Sequence, residues 1–231
     1  GTVLSTVTSS ALRHVALFGG AGNDKVTVEG STGIDQVVLG ESTLSINDVT
    51  IDSANIEALR LNGSGGSDSI IGTNVANTWN VTGADTGTVG IVTFASIENL
   101  TGGNANDSFV FTTSSSKLTG QINGGGGTED ALNYSALTGP VTVNLATGAA
   151  TATGGVSNLE RLVGSKAKTD RLVGSNKLNN WQLDGVTTGT LDGLRFLGFE
   201  ILAGGTATDL FNFSAGAGSF AELDGRAGVR D

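Results

Sequence analysis

Residues 68–111 and 170–213 are two versions of one phrase, set 102 positions apart and aligned without a gap. Asp68 pairs with Asp170, Gly72 with Gly174, Asn77 with Asn179, Trp79 with Trp181, Phe94 with Phe196 and Glu98 with Glu200. Gly102 and Gly103 then fall on Gly204 and Gly205, Asp107 on Asp209, and Phe109 and Phe111 on Phe211 and Phe213. A chain that repeats its rarest residues in register is built by stacking similar units, because each unit alone cannot close a core.

A shorter period lies inside the long one. An apolar-Glu-x-Leu element recurs at Glu57, Glu98, Glu160 and Glu200, with gaps of 41, 62 and 40. Those gaps approximate two, three and two multiples of ~20 residues, and 102 is near five, the size of one coil in a β-solenoid. Short alternating runs such as KVTVEG, TWNVTG, SFVFTT and LFNFSA, each bounded by Gly, Asn, Asp or Ser, have the period of strands. The fold expected is all-β: a right-handed parallel β-helix, or β-solenoid, with ~20-residue coils, a five-coil superrepeat and a single continuous body over 1–231. Roughly eleven coils at ~4.8 Å per stacked strand give a rod on the order of 50 Å. Tandem immunoglobulin-like β-sandwiches are the alternative, since ~100 residues per Trp fits one sandwich. The Gly-Gly-turn-Asp signature recurs several times within each long unit, which favours the solenoid.

The composition fits many tight turns: 37 glycines, one proline and 5% aromatic residues. A net charge of −10 repels nucleic acid, and no run of eighteen apolar residues is long enough to insert in a membrane as a helix. With no cysteine, thiolate sites and disulfides are impossible. The first residue is not Met and no leader pattern opens the chain, so an interior piece of a longer protein is expected.

Gly19-Gly20-Ala21-Gly22-Asn23-Asp24-Lys25-Val26 fits the GGxGxDxU calcium nonapeptide. Together with the phrases IENLTGGNANDSF, INGGGGTEDALNYSA and VTVNLATGAATATGG, it resembles the RTX, haemolysin-type giant secreted repeat proteins of Gram-negative bacteria. The resemblance implies an extracellular or cell-surface location. It also implies Ca²⁺ held between successive coils by Asp carboxylates and turn carbonyls, an oxygen shell suited to a hard cation. On this chain such a site falls on Gly20, Gly22, Asn23 and Asp24, with Asp35 joining from the next coil. The other turns are isolated and degenerate, and Lys166 and Lys168 put ammonium groups where a cation would sit. Their Asp residues are expected to bind neighbouring backbone amides as Asx turns, without metal.

Glu57, Glu98, Glu160 and Glu200 are expected as solvated corner residues. Trp79 and Trp181, with Phe94, Phe109, Phe111, Phe196, Phe211 and Phe213, are expected to fill equivalent core layers. The competing role for the tryptophans is a platform for surface glycans. His14, the one histidine, has no partner suggested by the sequence, and the chain lacks the paired carboxylates and bases of β-helix polysaccharide-degrading enzymes. No enzyme is expected. The role expected is structural: a stalk, adhesin body or filament subunit, its partners being further copies end to end or the rest of a longer chain.

Overall fold

A computed structural model describes residues 14–17, 21–52 and 55–226. These residues form strands, turns and loops, with no helix. In chain order the strands begin with β1 (His14–Ala16), β2 (Lys25–Glu29), β3 (Gln36–Leu39), β4 (Thr43–Ile46), β5 (Val49–Asp52), β6 (Ala58–Asn62) and β7 (Ser69–Ile71). Next come β8 (Thr78–Gly83), β9 (Thr86–Val89), β10 (Val92–Ala95), β11 (Asn99–Thr101), β12 (Ser108–Phe111), β13 (Gln121–Asn123) and β14 (Ala131–Asn133). Then follow β15 (Thr142–Asn144), β16 (Ala149–Ala150), β17 (Gly155–Ser157), β18 (Arg161–Val163), β19 (Arg171–Val173) and β20 (Asn179–Gly185). The last are β21 (Thr188–Leu191), β22 (Leu194–Leu197), β23 (Ile201–Ala203), β24 (Asp209–Phe213) and β25 (Glu222–Asp224).

Successive laps lie parallel and in register, so the fold is a β-solenoid. One face is a 12-stranded sheet in the order β2-β6-β10-β9-β8-β12-β14-β18-β22-β21-β20-β24. The other is an eight-stranded sheet, β1-β5-β4-β3-β7-β11-β13-β17, continued by a five-stranded one, β16-β15-β19-β23-β25. The Val156 N–H to Gly148 carbonyl bond, 2.7 Å, links those two. Twelve strands at ~4.8 Å span roughly 50 Å.

The laps are longer than the ~20 residues expected. Parallel partners stand 33 residues apart at Val26 and Leu59, 30 at Trp79 and Phe109, and 23 at Phe109 and Leu132. The cause is a set of meanders that the Glu spacing concealed. At 78–95 the chain enters the sheet at β8, steps back antiparallel through β9, and returns in β10, which lies parallel on β6. The segments 36–52 and 179–197 do the same, and 142–157 does so with a two-residue middle strand. One visit thus fills three strand positions. The 102-residue superrepeat is accordingly four laps rather than five: β8, β12, β14 and β18 precede β20 on the same face. Tight turns make the reversals possible. Asn47 and Asp48 (φ 45° and 68°) join β4 to β5, and Asp192 and Gly193 (φ 50° and 93°) join β21 to β22, both left-handed pairs suited to two-residue hairpins.

Inward residues of the facing sheets make one core. Trp79 and Trp181 are fully buried, as are Phe94, Phe109 and Phe111, and Phe196 is buried to 3% exposure. Trp79 stacks on Phe109 at 5.7 Å and Trp181 on Phe211 at 5.4 Å, so the superrepeat reproduces its core layer. Two aromatics depart from the expected interior stack: Phe211 is half-buried and Phe213 is 58% exposed. Their counterparts Phe109 and Phe111 lie beneath β14 and Tyr134 (Phe111–Tyr134 4.9 Å), whereas β24 is the end strand of its sheet.

Candidate functional site

The chemistry of this molecule is concentrated at its two edges, where the chain turns from one sheet to the other. Many of these turns end in an Asp or Asn at or immediately before the first residue of a strand, and others end in Glu. Asp107 is representative. Its Oδ2 accepts the N–H of Gly103 (2.8 Å), closing its own turn, while Oδ1 accepts the N–H of Asn77 (2.8 Å) from the preceding lap. The Asp107 N–H in turn donates to Oδ1 of Asp130 (2.7 Å) in the following lap. The same one-way relay runs from Asp35 to Asp68 (2.8 Å), and from Val141 to Asp170 (2.8 Å). Asp35, Asp68, Asp107, Asp130, Asp170 and Asp209 are all at most 3% exposed. Buried carboxylates on this scale require hydrogen bonds, and backbone amides supply them. The expected Asx-turn role therefore holds at Asp35, Asp107, Asp170 and Asp209, whose carboxylates accept an N–H of their own turn, whereas Asp68 and Asp130 accept an N–H from the preceding lap.

The glutamates, expected as solvated corners, terminate these relays. Glu57 accepts the N–H of Asp24 (2.8 Å), Glu98 that of Asp68 (2.7 Å), Glu160 that of Asp130 (2.9 Å) and Glu200 that of Asp170 (3.0 Å). Each also gives its own N–H back to the carbonyl of the same Asp. Two residues before each Glu stands a left-handed residue: Asn55 (φ 58°), Ser96 (φ 52°), Asn158 (φ 50°) and Gly198 (φ 74°). The signal was present in the sequence, since each Glu follows one meander. The meanders themselves were not recognised.

Close approach explains the glycines. A Cβ on Gly102 would stand 2.0 Å from the Gly124 carbonyl oxygen and 2.4 Å from Asp107 Oδ2. The same clash arises at Gly63 with Ser96 O (2.0 Å) and Asp68 Oδ2 (2.3 Å), and at Gly164 with Gly198 O (1.9 Å) and Asp170 Oδ2 (2.8 Å). Only glycine lets the carbonyl of one lap and the carboxylate of another meet there.

Asp68 differs from its companions. Its Oδ2 is buried without a hydrogen-bond partner, because Ser64 (φ 72°) directs its N–H to Asn62 Oδ1 instead. Burial pushes its carboxyl above the ordinary aspartate range, opposed by the Asp35 N–H and reinforced by the Asp35 charge. Asp130 is raised in the same way, chiefly by burial, opposed by the Asp107 N–H and reinforced by the charges of Glu160 and Asp107.

Of the residues expected to hold calcium, Gly20 lies outside the described residues. Gly22 and Asn23 are exposed, and Asp24 is half-buried with one buried carboxylate oxygen lacking a partner. Asp35 is not beside Asp24. Asp24 precedes β2 and Asp35 follows it, on opposite edges, separated by five strand residues or ~17 Å. The lap neighbour of Asp35 is Asp68, and the Asp35 carboxylate is bound to Ser31 (N–H 2.7 Å) and to the Asn47 amide. Among the described residues no group of three or more His, Asp or Glu side chains converges as a metal site. His14 has a partner the sequence did not suggest, Asp52 Oδ2 at 2.9 Å.

The fold and its edges define an all-β solenoid with carboxylate-closed turns. No family model, curated protein or solved structure matches the chain.

Proposed function

We propose that this chain is a structural spacer: a segment of a secreted or cell-surface repeat protein that serves as stalk, adhesin body or filament subunit. The observation that carries the reading is the single core that runs beneath a 12-stranded sheet and is closed along both edges by backbone-to-carboxylate bonds. Stability in such a stack grows with the number of laps, which suits a body whose task is to hold length. A glycan-binding role lacks its platform, because both tryptophans are at 0% exposure. An RTX-like role for calcium rests on the first turn, where Asp24 keeps an unpartnered oxygen; Asp35 is committed to Ser31 and Asn47. Electron microscopy of the purified chain, with calcium and with chelator, tests the reading. Rods of about 50 Å are expected under both conditions; compact round particles, or collapse on chelation, would overturn it.

A further inference from the structure

Three of the meanders pack a matching trio of inward positions, one from each strand, and in the fourth, at 142–157, the equivalent place is underfilled. At 36–52 the trio is Leu39, Leu44 and Ile51. At 78–95 it is Val81, Gly87 and Phe94, and at 179–197 it is Leu183, Gly189 and Phe196. In these two the middle strand carries glycine, and a phenyl ring occupies the space: the Cβ point of Gly87 is 2.5 Å from Phe94 Cζ, and that of Gly189 is 3.0 Å from Phe196 Cζ. At 142–157 the register of Val143 with Ala150 and Asn144 with Ala149, carried one step past β15 and β16, sets Leu145 opposite Gly148, a turn glycine at φ 72°, and Val156 bonds through its N–H to the Gly148 carbonyl. Glycine is again central, but the ring is replaced by an isopropyl group.

The consequence is a cavity of about 190 Å³ lined by Leu145, Gly148, Val156, Leu159, Leu162 and Leu194. Leu145, Val156, Leu159 and Leu194 are half-buried around it, so a small molecule reaches it from solvent. An enclosed apolar cavity of about 150 Å³ accepts benzene; this one is open on one side and has polar as well as apolar walls, so it suits a ring that carries a polar substituent. We propose that this cavity is a binding site for a single-ring aromatic molecule of benzene or phenol size. The occupant takes the place that Phe94 and Phe196 hold in the equivalent meanders, against Gly148 and between the two sheets. Ser157 and Asn158, both exposed, also line the cavity and give a ring hydroxyl a polar exit. The proposal is independent of the spacer role.

Titration of the full chain with benzene and with phenol, followed by methyl NMR, tests it. Saturable shifts confined to Leu145, Val156, Leu159, Leu162 and Leu194 are expected. Val156→Phe supplies the missing ring, so it is expected to abolish those shifts and to raise the melting temperature without ligand. Leu194→Phe fills the same space from the opposite sheet and serves if Val156→Phe does not fold. No saturable shift at these methyls, or undiminished binding in a folded filled variant, would overturn the proposal. So would a cavity that exchanges water and takes no ring.

Discussion

Replacing Asp68 by Asn should make the protein more stable at neutral pH, although it changes one of the most buried polar residues in the chain. Asp68 Oδ1 accepts the Asp35 N–H, and an asparagine oxygen can keep that bond. The other oxygen has no donor, and it faces the Ser96 carbonyl oxygen across the space where a Gly63 Cβ would sit. An amide nitrogen there turns a donor instead of a second acceptor toward that carbonyl, which is expected to relieve the repulsion between the two oxygens. Leaving a buried polar atom unpaired costs about 1–3 kcal/mol, and more when it is charged, so Asp68→Asn is expected to gain at least ~1 kcal/mol. For a chain of this size that is roughly 2–4 °C in melting temperature per kcal/mol. The gain must depend on pH. The folded Asp68 carboxyl titrates above its unfolded value, so the wild type recovers stability as pH falls through the folded pKa toward the unfolded one. The difference between variant and wild type should therefore be largest at pH 7 and shrink on acidification. Asp107→Asn is the control: both Asp107 oxygens hold N–H donors, so an amide nitrogen there meets a donor and should cost ~1–3 kcal/mol. Thermal melts of the three proteins at pH 7 and pH 4 decide the matter. A destabilised Asp68→Asn, or a difference that does not change with pH, would refute the reasoning.

Gly102→Ala places a methyl 2.0 Å from a backbone carbonyl oxygen and should lose ~1–3 kcal/mol or more, while Gly139→Ala, with nothing within 4 Å, should stay within ~0.5 kcal/mol in the same denaturant melts. Glu98→Ala strands the Asp68 N–H and should cost ~1–3 kcal/mol, whereas Glu98→Gln keeps an acceptor and should cost distinctly less; equal losses would exclude the proposed relay. Both indole N–H groups are buried and unpartnered, so tryptophan emission should be at short wavelength and resist iodide quenching. Long-wavelength emission would contradict the core assignment.

Much of the fold was legible because strand alternation and the aligned phrases act locally. Trp79 and Trp181 occupy equivalent core seats because the residues around them, out to Phe109 and Phe211, repeat as well. The coil length was not legible. A strand that returns antiparallel within its own sheet has the same alternating pattern as one that passes to the opposite sheet, so nothing local marks Thr86–Val89 and Val92–Ala95 as parts of one meander. For the edges, Gly and Asp were recognisable as turn residues, but the partner of each carboxylate lies one lap away, 30 residues for Asn77 and Asp107 and 23 for Asp107 and Asp130. Lap length decides that pairing. Phe213 was misjudged for a related reason: burial of Phe111 depends on Tyr134 in the next layer, which local pattern cannot report.

The division of labour between aspartate and glutamate follows from the meanders. Within a relay, each lap lays a like turn on the one before, and the short Asp side chain spans the gap, as from Asp130 to the Asp107 N–H. After a meander the chain returns through a left-handed residue instead of a Gly-Ser-type turn, as at Ser96 and Asn158. The left-handed carbonyl then occupies the space beside the previous lap's glycine, 2.0 Å from the Cβ point of Gly63 and 1.8 Å from that of Gly124. The residue before the next strand is Glu98 or Glu160, and its backbone N–H is committed to the carbonyl of Asp68 or Asp130. A carboxylate that must also reach that same residue's N–H has to fold back along its own backbone, and the extra methylene of Glu allows it. Each relay thus begins at the N–H of Asp24, Asp35, Asn77 or Val141 and ends at a Glu. The four meanders therefore set where cross-lap bonding starts and stops, alternating between the two edges.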